Sequence, residues 1–418
     1  MLAGCAREPD PEPPRAPEVK HVEPVPVHRS GRWHRTMDAG EAELTGEQRS
    51  TIAELEAIGY ASGTTPRPSR SGVTLHERER AHEGLNLYSS GHAACAVLMD
   101  MDGRALHSWR ADFTRIWPDE KLRGRNRALT WFWRWVHLYE NGDLLAVFEG
   151  HSLVKLDKDS NVLWKSHCGA HHDLAVLPSG DIVVLTRKAQ VVPAIDDETP
   201  VLEDFISILG PDGVEKSRLS LLEALDRSPF QALWQDVRAR RGDVLHTNAL
   251  DVLDGTAADA VPAFRAGNLL VSSRALSFLA VVDPVRGAVE WTLQGSFRGQ
   301  HDPRLLPNGH LLLFDNCGRG EASTVVELDP ASGRTLWEYR GTAASPFYSR
   351  FCGTAERLAN GNTLITESDR GRAFEVTPAG EIVWEFWNPE RAGDDRELIA
   401  SLFTVVRLEP GYAAFLTP

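Results

Sequence analysis

The sequence predicts an all-β protein, a six-bladed β-propeller closed by pairing of its N- and C-terminal strands and preceded by a disordered and helical N-terminal tail. Three observations carry this expectation. Two repeat units alternate over residues 85–417, Trp closes most copies of the second unit at a spacing close to a propeller blade, and the chain begins and ends on complementary half-blades. The first unit is an apolar strand, a turn centred on Gly and a second apolar strand. Its copies are "VHLYENGDLLAVF" (136–148), "LAVLPSGDIVVL" (174–185), "AFRAGNLLVSS" (263–273), "PRLLPNGHLLLF" (303–314), "AERLANGNTLIT" (355–366) and "VVRLEPGYAAFL" (405–416). Asn-Gly and Ser-Gly supply the positive φ that tight hairpins need. The second unit is a strand, an Asp/Gly turn and a strand ending in Trp: "VLMDMDGRALHSW" (97–109), "LVKLDKDSNVLW" (153–164), "LAVVDPVRGAVEW" (279–291), "VVELDPASGRTLW" (325–337) and "AFEVTPAGEIVW" (373–384). A degenerate copy, "ISILGPDGVEKSRL" (206–219), lacks the Trp. Pairing the units gives four strands per blade. If the unpaired end units share one blade, the ring is locked by its own termini and leaves no open sheet edge.

Ahead of the propeller, expected over 81–418, residues 1–80 read as a Pro-rich tether with one short helix. "TGEQRSTIAELEAIG" (45–59) combines a capping-box start, Thr45 with Gln48, with apolar residues at helical spacing and a final Gly. "MLAGC" has the form of a bacterial lipoprotein processing site, with Cys5 as the residue that would carry lipid and attach the protein to a membrane. The charged and apolar regions that normally precede such a site are missing. Two readings stay open: a lipoprotein whose assigned start lies too far downstream, in the periplasm or cell envelope, or a chance match on a disordered tail in the cytoplasm.

A formal charge of −14 argues against nucleic-acid binding, which needs a basic field. No apolar run is long enough to span a membrane as a helix. The five cysteines form no CxxC pair or zinc-finger spacing, and no P-loop or GxSxG elbow appears.

Counting back eight positions from each turn Gly reaches the head of the first strand in every blade: Arg134, His172, His301, Gly353 and Phe403, with His246 aligned in the fourth blade through "HTNALDVL". Counting forward seven reaches Glu149, Arg187, Arg274, Asn316 and Ser368. The start of one antiparallel strand lies beside the end of the next, so these residues are expected on one rim of the central channel. Histidines in register with arginines form a cationic pocket suited to a tetrahedral oxyanion, with imidazole as nucleophile. The competing reading is a three-histidine metal site. By strand alternation Asp173 and Asp302 should point away from the channel and offer that metal no carboxylate. "WFWRW" (131–135) reads either as an aromatic-substrate pocket or as packing between blades. Tyr348, in "FYSRFCG", should enter the same face as a proton-exchanging phenol or a rim cover, and Cys317 and Cys352 fall close enough there for a disulfide.

"HHDLAVLPSGDIVVL", "HTNALDVL", "LLVSSRAL", "GQHDPRLLPNGHLLLFDN" and "ERLANGNTLI" with "FEVTPAGEIVWEF" resemble the bacterial arylsulfotransferases of the arylsulfate sulfotransferase type, over about residues 80–417. The resemblance implies transfer of a sulfuryl group from an aryl sulfate to a phenol, in two ping-pong steps through a sulfohistidine, without a nucleotide donor, cofactor or metal. On it, His301 of "GQHD" is the nucleophile, and His172, His246, Asn248 and Arg274 hold the sulfate oxygens and assist proton transfer. Arg187, Asn316 and Tyr348 are the further substrate-binding candidates. The separate N-terminal β-rich dimerisation domain of well-known members has no counterpart in the first 80 residues, so no oligomeric state carries over. A non-catalytic propeller scaffold, which "LDPASGRTLWEY" also fits, is the alternative.

Overall fold

In the computed structural model the described residues are 44–56, 60–120, 130–318, 320 and 322–416. They form six radial, mainly four-stranded antiparallel sheets, the six-bladed β-propeller that the repeat units predict. Blade 1 combines the innermost strand Leu402–Leu408 with Leu85–Ser90, Cys95–Met99 and Ala105–Arg110. Blades 2 to 5 start on the inner strands Trp135–Leu138, Ala170–Val176, Thr247–Val252 and His301–Leu305. Blade 6 starts on Thr354–Arg357 and gains a fifth, outer strand, Gly72–His76, paired with Ile382–Trp387.

Ring closure lies in blade 1, where Leu85 pairs with Leu408 and Tyr88 with Val405. One detail differs from the sequence reading. The last unit was expected to supply both strands of a hairpin, but Pro410–Leu416 is a 3₁₀ helix and the partner of Leu402–Leu408 is Leu85–Ser90. Pro410 has no N–H to give a ladder, whereas Leu85–Ser90, buried throughout, supplies a full one.

The recurring Trp has a physical role between blades. Trp109 Nε1 donates to Gly142 O, Trp164 to Pro211 O, Trp337 to Pro378 O and Trp384 to Met101 O, each at 2.9 Å. Every one of these bonds runs from the last strand of a blade to a turn of the next, and the Trp384 bond crosses the closure from blade 6 to blade 1. Apolar wedges fill the gaps: Leu87, Leu98 and Trp109 of blade 1 pack with Val136, Leu144 and Phe148 of blade 2. Each such side chain contributes about 1.5–3 kcal/mol on burial.

The N-terminal helix, Gly46–Glu56, carries the reciprocal capping bonds Gln48 N to Thr45 Oγ1 and Thr45 N to Gln48 Oε1. It lies on the propeller rather than apart from it: Leu55 and Ile52 pack on Ala189 and Leu202 of blade 3. Those residues belong to Ile182–Val192 and Asp196–Leu209, two strands that run past Arg187 and above the rim. No described helix is long and apolar enough to cross a membrane, and Cys5 lies outside the described residues.

The Trp bonds are separable by burial. Trp384→Phe leaves the Met101 carbonyl unmet in a closed interface and is expected to cost about 1–3 kcal/mol in denaturant unfolding. Trp164→Phe, half-exposed, should cost clearly less. Equal losses would contradict a locking role for the closure bond.

Candidate active site

The inner strands are distorted where they reach the rim. Pairing slips between Leu174↔Val184 and Ala170↔Thr186, between Ala249↔Ser272 and Thr247↔Ser273, and between Arg304↔Leu312 and His301↔Phe314. His172, His246 and Asp302 hold φ of 54°, 48° and 52°, left-handed backbone that few non-glycine residues adopt. Such bulges re-aim side chains and cluster near functional sites. They also correct the expectation for Asp173 and Asp302. Arg304 bonds both carboxylates, at 2.9 and 2.6 Å, and Asp302 lines the channel, so the pair faces inward one layer below the histidines.

At the rim, His301 is 2% exposed and its Nδ1 lies 2.7 Å from Asn316 Oδ1. The Asn316 amide donates to Ser349 O at 2.9 Å and Cys352 O at 2.7 Å, which fixes its flip and leaves only its oxygen for His301. His301 therefore carries its proton on Nδ1. Nε2 is a bare, buried lone pair without a hydrogen-bond partner among the described residues. Burial, opposed by the Asn316 bond and reinforced by Arg274 and Arg134, holds this imidazole neutral well below the ordinary histidine range. The backbone ahead of His301 is pinned from both sides. Asn248 Nδ2 donates to Gln300 O at 2.7 Å, and Gln300 Nε2 donates to Ser272 Oγ and Ser273 O.

His172 and His246 meet a group that the repeat register did not reach. The hydroxyl of Tyr60, from the segment after the N-terminal helix, lies 2.7 Å from His172 Nε2 and 3.1 Å from His246 Nε2. His246 Nδ1 faces Asp243 Oδ2 at 2.5 Å and keeps its proton there, so its Nε2 accepts from Tyr60. The single phenolic proton is then spent, and His172 Nε2 must donate. His172 Nδ1 closes the chain by accepting from His171 Nδ1 at 2.8 Å. Burial drives His171 and His172 well below their usual protonation range.

The cationic part of the site is Arg134, Arg187 and Arg274. Arg187 lies 3.4 Å from Glu149 and fills space that a Cβ on Gly150 would occupy. Arg134 is buried, yet its Nε and Nη1 have no hydrogen-bond partner among the described residues, and the same holds for Arg274 Nε. Unmet buried donors cost about 1–3 kcal/mol each. Arg134 carries two such donors where the inner strands converge on the channel mouth, and Arg274 adds a half-buried one, while His301 Nε2 and Asn248 Oδ1 are unmet acceptors. That pattern fits a site shaped for an anion with several oxygens.

The structure thus brings His172, His246, His301, Asn248, Asn316, Arg187 and Arg274 to one rim. For Tyr348 it gives a backbone bond to Glu367, and the phenol bonded to the histidines is that of Tyr60. Cys317 and Cys352 are free thiols, not a disulfide. Cys352 is buried with Phe132 and Phe403, its thiol pushed up to about 12 by burial, while Cys317 is half-exposed with its sulfur 4.0 Å from Arg350 O. Of "WFWRW", Phe132 and Trp133 pack inward and Trp131 is exposed. For the metal reading, the His/carboxylate groupings among the described residues are Glu149–His171–His172 and Glu120–His151–His167, which include neither His246 nor His301. A cavity of about 450 Å³ lies in the channel, lined by Asp302 and Arg304 among others, and none of the three rim histidines lines it. Sequence reading counted Arg134 into the register without assigning it a role, and it missed Asp243 and Tyr60. Asp243 stands three residues before His246, a spacing that could have signalled an orienting carboxylate.

A sequence model of the family described as arylsulfotransferase (ASST) matches residues 136–389. More than half of the chain, including His172, His246, Arg274 and His301, falls inside the match. The chain belongs to the arylsulfotransferase family. No curated protein matches it. Among solved structures, a protein of unknown function from Bacteroides caccae is 15% identical, covering 77% of this chain and 98% of its own, with a TM-score of 0.49. The Cps50 (Swd1) β-propeller domain of Myceliophteria thermophila is 13% identical, covering 80% and 100%, with a TM-score of 0.45. A catalytically inactive virginiamycin B lyase from Staphylococcus aureus is 9% identical, covering 76% and 87%, with a TM-score of 0.40.

Nitrogen-15 NMR of labelled histidine at pH 6 should find the His301 and His172 rings neutral, with the His301 proton on Nδ1. A His301 ring protonated on Nε2 would contradict the lock by Asn316.

Proposed function

We propose that the rim site transfers a sulfuryl group from an aryl sulfate to a phenol, with His301 as the nucleophile. The observation that carries this reading is the Asn316 lock, which leaves His301 Nε2 a buried lone pair beside cations with unmet donors. In the first step Nε2 attacks sulfur, the sulfur–oxygen bond to the aryl group breaks and the phenolate leaves. In the second, an acceptor phenol attacks the same sulfur, the nitrogen–sulfur bond breaks and His301 returns to its neutral form. The acceptor proton passes to His246 Nε2, with Asp243 stabilising the imidazolium that forms. Arg274, Arg134 and His172 would meet the sulfuryl oxygens as their charge grows, and Asn248 and Gln300 position His301. By analogy with phosphoryl transfer, placement and electrostatics supply most of the rate.

Family membership supports aryl sulfates and phenols as the substrate classes, and a periplasmic or cell-envelope location goes with that reading, with lipid on Cys5 as one means of attachment. Neither cofactor nor metal enters the mechanism.

With 4-nitrophenyl sulfate as donor and phenol as acceptor, His301→Ala is expected to lose about 10³-fold or more in kcat, and Arg274→Ala about 10²-fold. Full activity of His301→Ala would overturn the assignment. Because burial keeps His301 neutral well below the ordinary histidine range, donor kcat/KM should stay level as pH falls through 6.5. Asn316→Asp puts a carboxylate on Nδ1, favours the imidazolium and should move the acid limb up by about 1–3 pH units. An unshifted limb would separate that limb from His301.

A further inference from the structure

Tyr60 occupies this site without belonging to the propeller repeat or to the matched family segment. Both flanks of the residue are seated. On one side, the helix Gly46–Glu56 buries Leu55 against blade 3. On the other, a strap of residues 62–67 runs along 397–401: Ser401 N donates to Ser62 O at 2.9 Å, Ile399 N to Thr65 O at 3.0 Å and Arg67 N to Glu397 O at 3.1 Å. The fit is close enough that a Cβ on Gly91 would come within 2.2 Å of Ser62 O, and one on Gly63 within 2.4 Å of Ile399 O. Between these anchors the half-buried phenol crosses the channel mouth and turns its hydroxyl inward.

What surrounds that phenol is what an attacking phenol requires. His246 Nε2, backed by Asp243, accepts its proton. The Arg134 guanidinium lies over the ring at 5.2 Å, placed to stabilise negative charge growing on the oxygen. Phe351 flanks the ring at 6.0 Å, and Phe403 lies on Arg134 at 5.4 Å, so the slot has aromatic and cationic walls. A tyrosine serving only to brace the strap would need none of these groups around its hydroxyl.

We propose that Tyr60 is itself a sulfuryl acceptor, so that O-sulfation of this residue is a reaction of the rim site. The proposal rests on the sulfotransferase reading given above. An aryl sulfate first charges His301, and the Tyr60 phenol held at His246 then attacks the charged histidine. The nitrogen–sulfur bond at His301 breaks, a bond from Tyr60 Oη to sulfur forms, and the phenolic proton goes to His246 Nε2. His301 is restored neutral and Tyr60 ends as a sulfate monoester, whose charge adjoins Arg134. No co-reactant beyond the aryl sulfate is needed.

The test uses the full chain with 4-nitrophenyl sulfate and no added phenol, quenched in alkali and mapped by mass spectrometry. Tyr60 is the only tyrosine in the tryptic fragment that starts at Ser50, so one SO₃ on that fragment's phenol reports directly. The expected result is sulfated Tyr60 in the wild type and none in His301→Ala. Release of nitrophenolate should approach two equivalents per wild-type chain, one retained on each residue, and stop near one in Tyr60→Phe. Sulfation of His301 and transfer to added phenol with Tyr60 unmodified would overturn the proposal and leave the sulfotransferase reading standing. No nitrophenolate release from the wild type would overturn both.

Discussion

Pairing of Leu85–Ser90 with Leu402–Leu408 ties the two ends of the chain into one sheet, and the geometry of the site depends on that tie. The groups proposed to react or to hold substrate come from separate blades: His172 from blade 3, His246 and Arg274 from blade 4, His301 and Asn316 from blade 5, and Arg134 from the entry to blade 2. No hairpin brings any two of the three histidines together. They meet because a closed ring forces the inner strands to converge on one axis, and an opened ring would let their heads separate. The Trp384 bond to Met101 and the fifth strand on blade 6 both reinforce the region around this closure.

Convergence alone would give a basic rim filled with water. The strand heads instead bury their polar groups, and burial does two kinds of work. It keeps His172 and His301 neutral at a pH where exposed histidines begin to charge, the state that the proposed nucleophile His301 requires. It also leaves donors on Arg134 and Arg274 unmet among the described residues, so an anion that accepts from them gains hydrogen bonds the surrounding side chains do not supply. The bulges and left-handed residues at the heads belong to the same arrangement. They turn consecutive residues of one strand to different layers, histidines at the rim and the Asp173–Arg304–Asp302 cluster below.

The parts of this design legible in the sequence are those governed by period. A turn Gly fixes the register of each hairpin, so counting from it located His172, His301, Arg134, Arg187, Arg274 and Asn316, and the Trp spacing marked the blades. What escaped lies outside any period. A bulge leaves no regular trace in a pattern of period two, so the inward aim of Asp173 and Asp302 was hidden. Tyr60 sits on a strap with a sequence separation of more than a hundred residues from either histidine it touches, and nothing local in "IGYAS" announces that contact. Tyr348 was chosen for its nearness in the repeat frame, while the phenol at the histidines arrives from outside that frame. Cys317 and Cys352 were close in register, but one side chain turns toward the surface and the other into an aromatic cluster.

Sulfuryl transfer at the rim depends first on the lone pair of His301. Rapid alkaline quench of the wild type within its first turnover of 4-nitrophenyl sulfate, followed by peptide mapping, should find the sulfuryl group on His301 Nε2. A first adduct on any other residue, or product formed with no covalent adduct at all, would contradict it.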